Sequence, residues 1–337
     1  MGVGIIADKI FENHLPSYGH PESPERVRAI NEMLKEKGII SKLKQIPLRK
    51  ANEEEILLIH TKSHFNRIKS TEGKSVYLDP DTSTSPDSFQ TALFAVGSSL
   101  NMIDEFMKGN IKRGVALIRP PGHHAESDRA MGFCLFNNIA IVGEYCIKKG
   151  MERVAIIDWD LHHGNGTQWA FWTRRDVLYI STHRWPYYPG TGSLKEVGEG
   201  DGRGYTVNIP LPGGADDAVY LGCFEDVIVP ILRNYSPDII LVSAGFDPHI
   251  DDPLGDMRVT EEGFGAMAQM LVDVADETGA GGPFLLLEGG YSIKGLTMSV
   301  ERVFRVLLEE EKISLKGFIP PYLRDPLLST FRVFWKI

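Results

Sequence analysis

The run Asp158-Trp159-Asp160-Leu161-His162-His163-Gly164-Asn165-Gly166 decides how this chain is read. It follows Arg153-Val154-Ala155-Ile156-Ile157, an apolar β-branched stretch of the kind that forms a strand buried on both faces of a parallel sheet. Two carboxylates and two imidazoles therefore arrive where a strand ends and a glycine-bounded loop begins. In open α/β sheets that edge is where ligands bind. Residues two apart on an extended chain point the same way, so Asp160 and His162 are expected to face one site. A carboxylate oxygen and an imidazole nitrogen suit a catalytic zinc ion, which takes about three protein ligands and keeps one position open for water. A lone Asp-x-His is more often a solvated turn. Here further ionisable and amide side chains crowd behind a buried strand, which weakens that reading.

Working outward, the same strand–loop–helix alternation recurs. Strands are expected at 114–118, 153–158, 176–181, 205–209, 238–242 and 283–287, with helices near 137–149, 216–233, 260–278 and 292–310. That spacing predicts an α/β fold with a mostly parallel central sheet and helices on both faces. Earlier, Ser23-Pro24-Glu25-Arg26 reads as a helix start with Ser23 as cap, Val27, Ile30 and Leu34 as apolar stripe, and Gly38 as stop. Asn52 and Glu55 suggest a capping box, residues 73–85 a polar loop, and Ser85-Pro86 the cap of a long helix reaching about Gly109. Polar or glycine-rich clusters follow four strands: Arg119 to Ala125, Asp158 to Asn165, Ser243 to Asp247, and Glu288 to Tyr291. Scattered over the chain, they must meet at one rim, which argues for one catalytic domain over 1–337. The aromatic-bearing tail, 311–337, is expected to pack on the body or at a subunit interface, so a homo-oligomer stays open.

Of the 337 residues, 42% are hydrophobic, enough for a large core, and the net charge of −9 gives no basic field for nucleic acid or an anionic membrane. Three cysteines without metal-binding spacing suggest a reducing compartment and no disulfide framework. No signal-peptide pattern and no membrane-length apolar segment is present, so a cytoplasmic location is expected.

Taken together, Pro121-Gly122-His123-His124-Ala125, Gly132-Phe133-Cys134, Asp158-x-Asp160-x-His162-His163-Gly164-Asn165-Gly166, Gly245-Phe246-Asp247 and Gly289-Gly290-Tyr291 resemble the zinc-dependent histone deacetylase superfamily. That superfamily includes acetylpolyamine amidohydrolases and acetoin-utilisation proteins, and the likeness covers roughly residues 14 to 310. The resemblance implies the arginase/deacetylase fold and one zinc held by Asp160, His162 and Asp247. It makes His123 and His124 catalytic, with Asp158 behind the first and Asn165 behind the second, and Tyr291 a donor to the substrate carbonyl. It puts Gly132, Phe133 and one of Tyr187 and Tyr188 along an acyl-lysine tunnel, and makes Asp81 a rim residue that grips the substrate backbone. It also implies a structural potassium ion on the carbonyls of Asp158, Asp160 and His162 with Ser181.

Elementary chemistry agrees with those roles. Amide hydrolysis needs an activated water, a polarised carbonyl and a proton for the leaving amine. A carboxylate behind His123 favours its imidazolium, and a neutral amide behind His124 does so less, so His124 is expected to be base and acid and His123 the cationic partner. His14, His20, His60, His64, His163, His183 and His249 are read as structural or unassigned, and Arg26 as an ion-pairing helix residue or a basic lining below the metal.

Three other readings compete. A binuclear arginase-like enzyme needs an aspartate where His249 stands. A silent acyl-lysine binder would lack a ligand or the tyrosine, and none is missing. A nucleic-acid module has no recognition motif here. Asn165, the Asp79-Pro80-Asp81-Thr82 loop and Leu254 look more like class II members than class I. Polyamine-selective relatives carry a glutamate where Leu254 sits, so acyl-lysine peptides are favoured over acetylated polyamines or small amides.

Overall fold

The computed structural model describes residues 2–337. Its strands are β1 (Gly2–Ile6), β2 (Lys44–Gln45), β3 (Val76–Tyr77), β4 (Ser83–Thr84), β5 (Ile111–Ala116), β6 (Val154–Asp158), β7 (Val177–Arg184), β8 (Thr206–Leu211), β9 (Ile239–Ala244) and β10 (Gly281–Leu287). Eight of them form one sheet in the order β2-β1-β5-β10-β9-β6-β7-β8, every pair parallel, while β3 and β4 make a separate antiparallel hairpin. Strands β6, β9 and β10 are buried at every position, which is why their sequences run apolar without alternating.

The principal helices are α1 (Glu25–Glu36), α2 (Glu53–Ile56), α3 (Lys62–Lys69), α4 (Ser88–Met107), α5 (Asn138–Lys148), α6 (Asn165–Ala170), α7 (Asp217–Cys223), α8 (Val229–Tyr235), α9 (Glu261–Thr278), α10 (Ile293–Leu307) and α11 (Pro321–Phe331). Helices α4 and α5 pack together as one layer, and α1, α10, α9 and α8 pack in series as the other. This is the expected α/β architecture with helices on both faces of the sheet. No helix among the described residues is long and apolar enough to cross a membrane.

The connectivity explains the convergence of the loops. The chain lays β5 and β6 apart, then returns to insert β9 and β10 between them. The four strands that carry the polar clusters thus lie side by side as β5-β10-β9-β6, and their carboxyl ends share one edge.

Several local expectations need correction. Ser23 does not cap α1: Pro24 holds the cap position, and no side chain bonds the first turn. Helix α4 starts at Ser88, because the Ser88 hydroxyl accepts the Ser85 amide (2.7 Å) and turns the chain once more before the helix begins. The polar loop 73–85 contains the β3–β4 hairpin. The strand expected at 114–118 runs from Ile111 to Ala116, and β1 is a further strand beyond those expected. The helix expected over 216–233 is interrupted by a π-turn at Phe224–Ile228, which accommodates Pro230 and its missing N–H. The Asn52–Glu55 capping box is present, but α2 is only one turn long. In the tail, Leu327, Leu328 and Phe331 of α11 are buried and Trp335 Nε1 donates to Gly204 O (2.9 Å), while Phe318 and Tyr322 stay exposed.

Candidate metal and acid–base site

Asp160 and His162 leave the end of β6, and Asp247 follows β9. His162 Nδ1 lies 3.2 Å from Asp160 Oδ1 and 3.0 Å from Asp247 Oδ2. One ligand atom from each of the three residues lies within 4.8 Å of the others, a group able to hold a metal ion. The carboxylates are aimed by backbone amides: Gly289 N donates to Asp160 Oδ2 (2.8 Å) and Leu161 N to Asp247 Oδ1 (2.9 Å). A Cβ on residue 289 would stand 2.7 Å from Asp160 Oδ2 and collide with Asp247, so the close approach requires glycine. Burial, reinforced by Asp160, pushes the Asp247 carboxyl up to about 7. Burial opposes charge on His162 too, but Asp160 and Asp247 outweigh it and raise the imidazole to about 9.

His123 and His124 stand on the loop after β5 with ring centroids 4.0 Å apart. Their partners differ as expected: His123 Nδ1 is 3.0 Å from Asp158 Oδ2, and His124 Nδ1 is 2.8 Å from Asn165 Oδ1. Burial disfavours charge on both rings. For His123 the carboxylates of Asp160, Asp158 and Glu288 overcome it and hold the imidazole well above its ordinary value. For His124 burial dominates, and His123 and His162 add to it, so its imidazole lies well below. The two adjacent histidines are thus pushed in opposite directions.

These side chains open into a pocket of about 320 Å³. Its lining contains Asp81, His123, His124, Gly132, Phe133, His162, Tyr187, Tyr188, Leu254 and Tyr291, all named from sequence, together with Pro121 and Gly289. Both tyrosines of the undecided pair line it. Tyr188 stands edge-on to His124 (5.1 Å), and Tyr187 lies over His162 (5.6 Å) with its hydroxyl donating to Leu254 O (2.9 Å). Phe133 adopts φ +69°, an uncommon conformation for a bulky residue, held by its amide donating to Thr82 Oγ1 (3.0 Å) and by His20 packed edge-on at 4.5 Å. Preceding it, Gly132 has φ +56°, and a side chain there would run into the His124 ring.

Asp158, Asp160, Asn165 and Asp247 lie behind this lining, fully buried. Ser181 is buried beside Asp158 in register across β6 and β7, with its Oγ 2.9 Å from His183 Nδ1. His14, His60, His64, His163 and His183 are buried and hydrogen-bonded away from the pocket, whereas His20 supports the rim.

Sequence reasoning missed three carboxylates. Glu288 Oε2 accepts the amides of Gly122 (2.7 Å) and His123 (3.1 Å), fixing the histidine loop, and burial pushes its carboxyl up to about 7. Its signal was an acidic residue closing an all-apolar buried strand. Asp252 accepts the amides of Tyr291 (2.6 Å), Ser292 (3.1 Å) and Leu254 (3.0 Å), so one side chain holds both the tyrosine and the rim leucine. Glu22 is buried against Arg119 and Arg26, and Arg26 in turn donates to the carbonyls of Gly290 (2.7 Å) and Glu288, beneath Tyr291.

A parallel sheet of this order with a carboxylate–imidazole cluster at its carboxyl edge is the arginase/deacetylase fold. Residues 20–307 match the histone deacetylase domain, and the chain belongs to that family. Relatives include histone deacetylase 5 of Arabidopsis thaliana (37% identical, covering 98% of this chain and 52% of that one). A probable deacetylase of Archaeoglobus fulgidus is 38% identical over 88% of this chain and 83% of its own length. The crystal structure of the HDA15 HD domain superposes with a TM-score of 0.93 at 35% identity, over 99% of this chain and 97% of that one. The chain spans about half the length of several curated relatives it matches, among them histone deacetylase HDA1 of Saccharomyces cerevisiae (50%).

Proposed function

We propose that this chain is a zinc-dependent amidohydrolase that removes acetyl or other acyl groups from the ε-amine of lysine in proteins or peptides, with 1–337 forming one catalytic domain. The observation that carries the reading is the juxtaposition of Asp160, His162 and Asp247 with two adjacent pocket histidines, one backed by the Asp158 carboxylate and the other by the Asn165 amide. Two carboxylates and one imidazole with convergent ligand atoms are a fitting donor set for zinc with an open position. Bound there, zinc supplies an acidified water and polarises the scissile carbonyl.

The remaining work falls to the chain's own groups. His124, kept neutral, takes the water proton at Nε2 and returns it to the departing amine. His123, its imidazolium favoured by the carboxylates of Asp160, Asp158 and Glu288, stabilises the negative charge that develops on the substrate. Tyr291 donates a hydrogen bond to the carbonyl oxygen as it gains charge, a type of contact worth about 3 kcal/mol. Phe133, Tyr187 and Tyr188 exclude water from the acyl-lysine stem, Gly132 lets that wall approach, Asp81 accepts a substrate backbone amide, and Leu254 offers an apolar rim. A structural potassium ion on the carbonyls of Asp158, Asp160 and His162 with Ser181 belongs to the same reading, supported by the pairing of Asp158 with Ser181.

The test is turnover of a fluorogenic acetyl-lysine peptide beside acetylated putrescine, with chelator and after zinc is restored. Zinc-restored activity on the peptide is the expected result. Preference for the polyamine would keep the chemistry and overturn the substrate class, and zinc binding without turnover of any acyl-lysine or polyamine would favour a silent binder.

A further inference from the structure

The partner of His124 is an amide, and an amide can present either its oxygen or its NH2 group. Which one faces the histidine decides which ring nitrogen carries the proton. On its far side, Asn165 Nδ2 lies 2.7 Å from Glu126 Oε1, with weaker contacts to His124 O and Met131 Sδ, both at 3.4 Å. An ionised carboxylate only accepts, so the NH2 must face Glu126 and the oxygen must face His124 Nδ1. His124 is thereby fixed as the Nδ1–H tautomer, and Nε2 is left as the basic nitrogen.

We propose that Glu126 is a positioning residue for His124, acting through the Asn165 amide and selecting the tautomer in which Nε2 can take a proton. The function of that tautomer rests on the amidohydrolase reading above. Glu126 is well placed for the task. Its carboxylate is tied to Arg129 (3.2 Å) and its carbonyl accepts from His60 Nδ1 (2.9 Å), so the loop that carries it is anchored at both ends of the residue. It does not line the pocket, so it has no direct hold on substrate. Its side chain is about one-fifth exposed, which leaves room for a lysine.

The charge logic predicts a reversal. Glu126→Ala removes the strongest of three acceptors and leaves two weak ones, so kcat falls by roughly tenfold or less with KM unchanged. Glu126→Lys puts a donor against the amide, which turns it over, aims NH2 at His124 and moves the ring proton to Nε2. A misassigned tautomer costs far more, so kcat falls on the order of 10²-fold or beyond. In the Asn165→Asp background there is no amide to orient, and a carboxylate at 126 repels the new one. There Glu126→Lys gains an ion pair and is more active than Glu126→Ala, which in turn exceeds the Asn165→Asp single variant.

Two measurements on the zinc-loaded protein test this. Steady-state kinetics compare the variants in both backgrounds, and long-range proton–nitrogen NMR of histidine-labelled protein reads the His124 tautomer, assigned by its loss in His124→Gln. Nδ1–H in the wild type, Nε2–H in Glu126→Lys and a reversed activity order with Asn165→Asp are expected. An unchanged tautomer in Glu126→Lys, or the same order in both backgrounds, overturns the proposal. The NMR readout does not depend on turnover, so inactivity of the wild type would count against the amidohydrolase reading and leave the tautomer assignment to stand or fall alone.

Discussion

Replacing Glu22 by glutamine should make the protein less stable at neutral pH and should erase part of its acid sensitivity. Glu22 is fully buried and accepts from two guanidiniums, Arg119 through both oxygens and Arg26 at 3.1 Å. Burial disfavours its charge, but Arg119, His14 and Arg26 outweigh it and hold the carboxyl near 2, against an ordinary 4.5. At about 1.4 kcal/mol per pH unit, that difference is worth roughly 3 kcal/mol. The folded-state pKa is depressed, so this stability is fully present above 4.5 and is lost as the pH falls through about 2. His14 adds in the same direction: burial lowers its imidazole to about 3, so the unfolded chain takes a proton below 6.5 that the folded chain refuses. Glu22→Gln leaves two buried guanidiniums without their carboxylate, so a loss of about 3–5 kcal/mol is expected at pH 7. Arg26 also braces the Gly290 carbonyl beneath Tyr291, so activity should fall even where the variant is folded.

Urea denaturation of both proteins from pH 7 to pH 3 measures the effect. Metal affinity also weakens in acid. The quantity to follow is therefore the difference between wild type and variant at each pH, from which the shared metal term cancels. That difference should be largest near neutrality and shrink steadily below pH 4.5. A gap that stays constant down to pH 3, or a variant as stable as wild type at pH 7, would refute the assignment of Glu22 as an ionised, structure-bearing carboxylate.

Asp252→Ala should lower kcat on acetyl-lysine peptide by roughly 10–10²-fold and raise KM, because one lost carboxylate frees both the Tyr291 amide and the Leu254 amide. Asp252→Asn should recover part of both, and steady-state kinetics separate the two terms. Leu254→Glu should raise kcat/KM for acetylated polyamine relative to the peptide, and added salt should shrink the gain, since the new carboxylate stands at the pocket mouth. Metal analysis should find one zinc per chain, removable by chelator with a fall in Tm, because stripping the ion leaves two buried carboxylates facing one another.

Much of this architecture was legible because the pocket is built from strand ends. Loops that follow buried strands carry their chemistry in short runs, such as Asp158 to Asn165, whose type and spacing can be read without knowing the neighbours. What resisted reading depends on pairing across the chain. Glu288 meets Gly122 166 residues away and Glu22 meets Arg119 97 away, and although the acid closing β10 stands out locally, nothing local names either partner. Tyr187 and Tyr188 were undecidable for a different reason. Alternation along a strand would send one inward and one outward, but they stand on a loop where both reach the pocket. The start of α4 was misplaced because the Ser88 hydroxyl takes the Ser85 amide, a local side-chain bond that competes with the helix.

The buried charges of this sheet edge are answered in two distinct ways. Glu22 has its countercharges built into the fold, two guanidiniums that no ligand need supply. Asp158 likewise has His123, and Glu288 is pushed up to about 7 while two backbone amides serve its oxygen. Asp160 has His123 Nε2 at 3.8 Å and shares His162 with Asp247, whereas Asp247 has only His162 among the described residues, and a His162 that coordinates a metal no longer answers it as a cation. A single divalent ion held by Asp160, His162 and Asp247 would supply two positive charges against the two carboxylates. A second ion would need further carboxylates, and the residue two beyond Asp247 does not provide one. His249 is turned away, its Nδ1 accepting the Asp251 amide (3.0 Å) and its Nε2 3.6 Å from Glu261. The donor set therefore favours one metal ion, and His123 and His124 stand outside it, their Nδ1 atoms engaged by Asp158 and Asn165.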